Sequence, residues 1–130
     1  MTEKFELYKC NVCGNIVQIL FSGVGELVCC GENMQKLEAN QGENNALSEK
    51  HLPEIEENEF GKFVRLNQHP MTTDHYIQFI QVISKDKKCL YTKFLYPNEL
   101  AEANVSFMDK EFEATELCNI HGLWRNANDK

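Results

Sequence analysis

The chain lacks several features that would place it in common functional classes. No apolar stretch of its 130 residues is long enough to cross a bilayer, and it contains no internal repeat or low-complexity tract. Its formal net charge is −7, so it has no basic excess of the kind that general nucleic-acid binding requires. Residues 1–6 contain no basic region followed by an apolar core, so we expect no export signal and a cytoplasmic protein.

Residue types that bind metals are plentiful by contrast. The chain has 6 cysteines and 4 histidines, and nearly all of them fall in two groups, one in the N-terminal third and one in the remainder. In a reducing cytoplasm such cysteines are expected to be metal ligands, although a disulfide scaffold would also use an even number. With 42% hydrophobic residues, the chain can form one ordinary domain, or a small metal-bound domain attached to a medium-sized one.

The first group of donors consists of four thiols: Cys10, Cys13, Cys29 and Cys30. Two residues separate the first pair, which lets both thiolates reach one metal from a tight turn, whereas the second pair is adjacent in sequence. Adjacent cysteines cannot both follow that relaxed turn, so we predict a distorted Fe(S-Cys)4 centre. A zinc ribbon has the same number of thiolates, and the spacing alone does not separate the two metals. Gly14 and Gly31 each follow a cysteine, where a loop around a metal often needs a positive φ.

A change in composition marks a domain boundary. Residues 38–48 lose all aromatic and β-branched residues and gain Asn, Gly and Glu, which is typical of a linker or an exposed loop. We therefore predict a small metal-bound β domain over residues 1–37, a linker over residues 38–48 and a second domain over residues 49–130.

The second domain is predicted to be an all-β, antiparallel sandwich of the immunoglobulin-like kind, with ligands on loops at one end. Short strand-like runs recur with turn signals between them, and no helix-length amphipathic segment interrupts them. These runs cover residues 60–66, 75–83, 89–96, 105–108 and 112–117. The second run is apolar on both faces, as in a central strand, and residues 84–88 form its turn. The acidic run of Glu54, Glu56, Glu57 and Glu59 is interpreted as a solvated turn.

The second group of donors combines four imidazoles with one thiol. His69 and His75 flank a short loop that enters the long strand, Cys118 lies three residues before His121, and His51 follows the linker. Single histidines are more often surface or core residues, so the four need not converge. If they converge, four imidazoles and a thiolate form a square pyramid that suits iron and leaves a sixth position for a small molecule, whereas zinc rarely takes five protein donors.

Together these motifs resemble the desulfoferrodoxin family of two-iron superoxide reductases. The matching residues are Cys10-x-x-Cys13, Cys29-Cys30, Glu49-Lys50-His51, His69-Pro70-Met71, His75-Tyr76-Ile77 and Cys118-Asn119-x-His121-Gly122-x-Trp124. The resemblance covers nearly the whole chain. It implies an Fe(Cys)4 centre in a desulforedoxin-like N-terminal domain and a catalytic Fe(His)4(Cys) centre in the sandwich, with the four histidines as equatorial ligands and Cys118 as the axial ligand.

The same resemblance implies a reaction and further roles. Superoxide would be reduced by one electron to hydrogen peroxide, without release of dioxygen. Lys50 would draw the anion toward the iron, and Glu49 would occupy the sixth position once the iron is oxidised. Rubredoxin or a similar small carrier is the expected electron donor, and a homodimer that pairs through the N-terminal domain is the expected assembly.

Three further expectations and two alternative functions complete the sequence-based picture. The backbone N–H groups of Asn119 and Ile120 are candidates to donate to the Cys118 sulfur. Cys89 begins a predicted strand and is expected to be a buried core thiol, and Trp124 either covers the site or belongs to the core. The alternatives are a rubredoxin-like electron-transfer protein, in which the sandwich is a docking module, and a zinc-stabilised binding module without redox chemistry.

Overall fold

The computed structural model describes residues 1–41, 51–66 and 68–127. The chain divides into two compact units, Met1–Glu38 and Ala39–Lys130. The regular structure of the described ranges consists of twelve short strands, so the all-β prediction is confirmed. Among these residues no helix has the length and apolar character needed to cross a membrane.

The N-terminal unit is built from five very short strands in two antiparallel sheets. These strands are β1 (Leu7–Lys9), β2 (Ile16–Gln18), β3 (Val28–Cys29), β4 (Glu32–Asn33) and β5 (Gln35–Lys36). Strand β1 lies between β2 and β5, and β3 pairs with β4. The buried hydrophobic residues of this unit are few, with Leu7 and Cys10 the two that are almost fully covered. A unit of this size needs a further source of stability such as a bound metal.

The second unit contains two antiparallel sheets that share one core. Its strands are β6 (Glu54–Asn58), β7 (Gly61–Arg65), β8 (Ile77–Ser84), β9 (Leu90–Phe94), β10 (Glu102–Asn104), β11 (Phe112–Cys118) and β12 (Gly122–Ala127). One sheet has the order β10-β7-β6 and the other has the order β12-β11-β8-β9. Val64 and Ala103 of the first sheet pack in the same cluster as Ile80, Val82 and Ala114 of the second. The arrangement is therefore sandwich-like, with the core between the sheets.

Strand β8 is the centre of the larger sheet, as its two apolar faces predict. Seven of its eight side chains are buried, and it pairs with β11 on one side and β9 on the other. Residues 84–88 form the expected turn, in which Lys87 N–H donates to the Ser84 carbonyl over 2.9 Å. Because β8 and β11 are neighbours, the residues at their paired ends are held close together.

Two segments differ from the secondary structure that the sequence predicts. Most of the acidic run is not a turn, since Glu54, Glu56 and Glu57 are exposed residues of the edge strand β6, in which Ile55 packs against the core. Glu59 alone lies in the turn that follows. Residues 105–108 are not a strand, because Asn104 Oδ1 accepts hydrogen bonds from both the backbone N–H and the hydroxyl of Ser106. This local bonding turns the chain, and Met108 N–H then donates to the Val105 carbonyl over 2.9 Å.

The prediction of a buried Cys89 is wrong. Its side chain is exposed, because it lies in the turn before β9 rather than in the strand. The backbone N–H of Cys89 donates to Ser84 Oγ over 3.0 Å, and this hydrogen bond closes the turn. The apolar residues that follow Cys89 in sequence therefore do not make it buried.

Candidate metal centres

The four N-terminal cysteines converge at one end of β1. Their sulfur atoms all lie within 4.8 Å of one another, with 3.6 Å between the Cys13 and Cys29 sulfurs and 3.9 Å between those of Cys29 and Cys30. Cys10 directly follows β1, and the turn after it is closed by Gly14 N–H, which donates to the Cys10 carbonyl over 3.0 Å. The local chain path thus brings both sequence pairs to one point.

Positive φ angles shape both loops around these sulfurs. Gly14 has φ of 86° and Gly31 has φ of 76°, as predicted for glycines that follow metal-binding cysteines. Cys30 itself has φ of 53°, a left-handed conformation that is uncommon for a residue with a Cβ atom. This conformation is how the second of two adjacent cysteines turns its sulfur toward the same point as the first.

The electrostatics of this cluster favour a thiolate at Cys10. Backbone N–H groups of Cys13 and Val12 donate to the Cys10 sulfur, each over 3.4 Å, and lower the pKa of its thiol to about 6. Hydrogen bonds with Cys10 and Cys13 raise the pKa of the Cys29 thiol to about 12. A divalent or trivalent metal supplies the positive charge that four thiolates need at short range, so the donor set fits such an ion.

In the second unit, four of the five predicted donors converge in the interior. The donor atoms of His51, His69, His75 and Cys118 all lie within 4.8 Å of one another. His51 is 1% exposed and Cys118 is 2% exposed, and such complete burial is uncommon for a histidine. Buried imidazoles and a thiol aimed at one point are the donor set of a transition metal.

The strand pairing explains why these residues meet. Cys118 is the last residue of β11 and pairs with Ile77, the first residue of β8, so it lies beside His75 just before that strand. His69 Nδ1 lies 2.6 Å from the Pro70 carbonyl. Since a carbonyl only accepts, Nδ1 carries the proton, and this tautomer leaves Nε2 as the atom that can bind a metal.

His121, the fifth predicted donor, lies beside the other four. Its Nδ1 is 2.9 Å from His51 Nε2, and its ring centroid is 5.0 Å from that of His75. A proton bridges the two nitrogens of His51 and His121 in a hydrogen bond of this length. Both nitrogens can bind the same metal only when neither carries this proton.

Glu116 is a buried residue of this site that the sequence analysis missed. It is 0% exposed, and its Oε2 lies 3.1 Å from His51 Nδ1. Burial raises the pKa of its carboxyl group to about 9. When Nδ1 holds the proton of this hydrogen bond, His51 Nε2 keeps the lone pair that a metal needs.

The alternation of side chains along β11 could have predicted that Glu116 is buried. Phe112, Ala114, Glu116 and Cys118 occupy every second position, so all four point to the same face. A glutamate on the same face as an apolar core and a metal-binding thiol cannot be a solvent-facing residue. Glu113, on the other face, lies 3.7 Å from Arg125 in an ion pair and is partly exposed.

Two opposing effects act on the thiol of Cys118. Burial raises its pKa, while backbone N–H groups of His121 and Ile120 act in the opposite direction. The expected donor Asn119 is wrong, because its N–H donates to the Tyr76 carbonyl over 3.2 Å. The expectation for Ile120 agrees with the structure, and His121 takes the place assigned to Asn119.

Trp124 both covers the site and belongs to the core. Its ring stacks on that of His51, with 4.9 Å between centroids and 13° between planes. Its indole N–H donates to the His121 carbonyl over 3.0 Å, and the residue is 6% exposed. It therefore fixes two of the candidate donors at once. Glu49 and Lys50, the predicted carboxylate and anion-attracting lysine, lie outside the described residues.

A small four-thiol unit joined to a β-sandwich that buries imidazoles around one thiol defines a protein with two metal centres of different character. Comparison with known proteins gives the same answer. Residues 2–37 match the family described as "Desulfoferrodoxin, N-terminal domain" and residues 43–127 match the family described as "Desulfoferrodoxin". The chain belongs to the desulfoferrodoxin family.

Individual relatives agree with this assignment. The chain is 43% identical over 130 residues to the desulfoferrodoxin of Desulfarculus baarsii, covering 98% of this chain and 100% of the relative. Its N-terminal part is 50% identical over 36 residues to the desulforedoxin of Megalodesulfovibrio gigas, covering 28% of this chain and 97% of the relative. The crystal structure of the superoxide reductase from Treponema pallidum has the same fold, with a TM-score of 0.71 at 22% identity, covering 97% of this chain and 99% of that one.

Proposed function

We propose that this chain is a superoxide reductase that uses two iron ions. The reaction is O2•− + e− + 2H+ → H2O2, so one superoxide gives one peroxide and no dioxygen. The observation that carries the proposal is the convergence of His51, His69, His75 and Cys118 within 4.8 Å in the interior, in a member of the desulfoferrodoxin family. The ferrous ion supplies the electron and a coordination position for the substrate.

The proposed ligands of the catalytic iron are the four histidines and Cys118. His121 is the proposed fifth donor, and its Nδ1 lies 2.9 Å from His51 Nε2. Glu116 holds the His51 ring through a hydrogen bond at Nδ1, and the Pro70 carbonyl keeps the proton of His69 on Nδ1. The backbone N–H groups of Ile120 and His121 stabilise the Cys118 thiolate. These contacts orient the donors before the metal binds, which lowers the cost of assembling the site.

Lys50 and Glu49 are proposed to act on the substrate and on the product. Lys50 directly precedes His51 in sequence and provides a positive charge for a superoxide anion that approaches a protein of net charge −7. Glu49 would supply a carboxylate ligand to the iron once it is oxidised, in place of the product. Both roles rest on the matching Glu49-Lys50-His51 motif.

The N-terminal iron is held by Cys10, Cys13, Cys29 and Cys30. We place this centre in a domain of residues 1–37, joined by the linker 38–48 to the catalytic domain of residues 49–130. Division of the chain after Glu38 and the two separate family matches support these bounds. Rubredoxin or a similar small iron carrier is the proposed electron donor.

A cytoplasmic homodimer is the proposed state of the protein. The cytoplasm would keep the four clustered thiols reduced for iron binding. The N-terminal unit exposes several large apolar side chains, namely Leu20, Phe21, Val24 and Val28. A second copy that covers this apolar surface would add the core that a unit of this size lacks.

The test is a rapid-mixing experiment with the fully reduced, iron-loaded protein and a known amount of superoxide. We expect one peroxide per superoxide and oxidation of the histidine-bound iron, which differs in its absorption spectrum from the thiolate-only centre. A yield of one peroxide for every two superoxides, together with dioxygen, would identify dismutation instead. Oxidation of the thiolate-only centre alone would identify an electron-transfer protein. Metal analysis of the protein as purified tests the third possibility, because colourless zinc in both sites would exclude either redox function.

A further inference from the structure

The pairing between β8 and β11 becomes irregular next to the metal-binding residues His75 and Cys118. Leu117 pairs with Phe79 and Cys118 pairs with Ile77, so one step along β11 spans two residues of β8. Such a bulge breaks the regular ladder and re-aims the side chains next to it. Beyond the bulge, regular strand pairing no longer fixes the distance between Cys118 and His75.

Beyond the bulge, the side chain of Asn119 makes hydrogen bonds in place of regular strand pairing. Its backbone N–H donates to the Tyr76 carbonyl over 3.2 Å, and its Oδ1 accepts from Tyr76 N–H over 3.0 Å. Its Nδ2 donates to the Asp74 carbonyl over 3.1 Å. A primary amide carries the same donor and acceptor as a peptide group, so it can replace one in a ladder.

The three hydrogen bonds of Asn119 are made to Asp74 and Tyr76, the residues on either side of His75. His75 itself lies in a tight turn in which its N–H and carbonyl both bond to Thr72, over 3.2 Å and 3.0 Å. That turn is closed on itself, so its position relative to Cys118 depends on contacts made by the residues on either side of His75. Asn119, directly after Cys118, makes these contacts.

We propose that Asn119 is a positioning residue that fixes the His75 loop against the Cys118 loop and so sets the separation of these two metal donors. The inference rests on the proposed function, in that His75 and Cys118 bind the same iron. Asn119 acts through the backbone of neighbouring residues and does not touch the metal or the substrate. Its loss should loosen the histidine-bound iron and leave the thiolate-only centre in the same chain unchanged.

Two variants of the full-length, iron-loaded protein test this role. Asn119→Ala removes both side-chain hydrogen bonds, whereas Asn119→Asp keeps the acceptor for Tyr76 N–H and sets a carboxylate oxygen against the Asp74 carbonyl. We expect both variants to release the histidine-bound iron to a chelator about tenfold faster than the wild-type protein. We also expect a shift of the thiolate-to-iron charge-transfer band of this centre, with the spectrum and release rate of the thiolate-only centre unchanged.

Asn58→Ala is the matched control. Asn58 also makes two side-chain hydrogen bonds at an exposed turn, donating to Glu56 Oε2 over 3.1 Å and accepting from Phe60 N–H over 2.8 Å, but neither partner adjoins a metal donor. Wild-type release rates and an unshifted band in either Asn119 variant would overturn the proposal, as would equal acceleration in Asn58→Ala. If the wild-type protein binds no iron at the histidines, it is the proposed function that fails.

Discussion

His51 and Glu116 form a hydrogen-bonded pair in the interior, with 3.1 Å between His51 Nδ1 and Glu116 Oε2 and both residues at most 1% exposed. Because Nδ1 faces Glu116, Nε2 is the nitrogen of His51 that faces the other candidate donors. We expect Glu116→Ala to weaken iron binding at the histidines by about 10- to 100-fold, because the imidazole loses the partner that fixes its tautomer and orientation. Equilibrium competition with a chelator measures the change.

Glu116→Gln tests whether an acceptor at this position is enough to orient His51. Its amide oxygen can still accept from His51 Nδ1, so we expect iron binding close to that of the wild-type protein. Its amide N–H2 would take the place of Oε1, which has no hydrogen-bond partner among the described residues, so unfolding should become easier by about 1–3 kcal/mol. Equal loss of iron in the Gln and Ala variants would contradict the orienting role.

Trp124 contributes to the same site by two separable contacts. Trp124→Phe keeps an aromatic ring over His51 but leaves the partly buried His121 carbonyl without its indole donor, at a cost of about 1 kcal/mol. Trp124→Ala also loses the ring and leaves a cavity, with an expected cost of about 3–5 kcal/mol. Urea unfolding of the metal-free protein, followed by circular dichroism because the chain has 1 tryptophan, compares the two. Equal losses would show that the stacked ring contributes nothing.

The acidic thiol of Cys10 predicts how metal binding at the N-terminal cluster depends on pH. Its pKa of about 6 means that it is mostly ionised at neutral pH, so a metal displaces no proton from it there. Below pH 6 the thiol is protonated, and the metal must displace one more proton. We therefore expect the affinity for Cd2+ to fall more steeply below pH 6 than above it, by about one further factor of ten per pH unit.

Cadmium titration of the full chain in a Cys118→Ser background measures this slope, since the thiolate absorption then reports mainly the N-terminal cluster. Cys10→Ser serves as the comparison, because removal of the acidic thiol should remove the break near pH 6. A single slope across this pH in the Cys118→Ser protein would contradict the assignment of the lowered pKa to Cys10.

Much of the fold could be predicted from sequence because β8 and β11 carry strong local patterns. An apolar run on both faces predicts a central strand wherever it lies in a chain. The thiols of Cys10 and Cys13 could be predicted to be metal ligands, because a two-residue gap between cysteines is common in metal sites. Local pattern and tertiary structure agree at these places.

The errors arise where a hydrogen bond or a distant strand overrides the local pattern. Asn104 bends an apolar segment into a turn through its side chain, and Ser84 closes a turn that leaves Cys89 exposed. The alternation of β11 places Glu116 on the core face, but it does not identify its partner His51, which lies 65 residues away in sequence. A buried ion-binding network is specified by contacts between loops, and spacing along the chain does not encode them.

The charge of Lys50 predicts how the rate depends on salt. Lys50→Ala should lower the second-order rate constant with superoxide by several-fold to about tenfold at low ionic strength, because the anion loses local attraction toward the iron. It should also flatten the dependence of this rate on ionic strength, since screening acts on the attraction that has been removed. Lys50→Arg keeps the charge and should keep most of the rate.

Lys88→Ala is the control that separates local from overall charge, because it changes the net charge by the same amount. Lys88 lies in the turn after Ser84, at the opposite end of the eight-residue strand β8 from His75, or roughly 25 Å away at the rise of an extended chain. At that distance an exposed charge is largely screened at physiological salt, where the Debye length is about 8 Å. The Lys88 variant should therefore show a wild-type salt profile at and above this ionic strength. If both variants lose the same rate and the same salt dependence, attraction comes from the net charge of the whole protein and Lys50 has no special position.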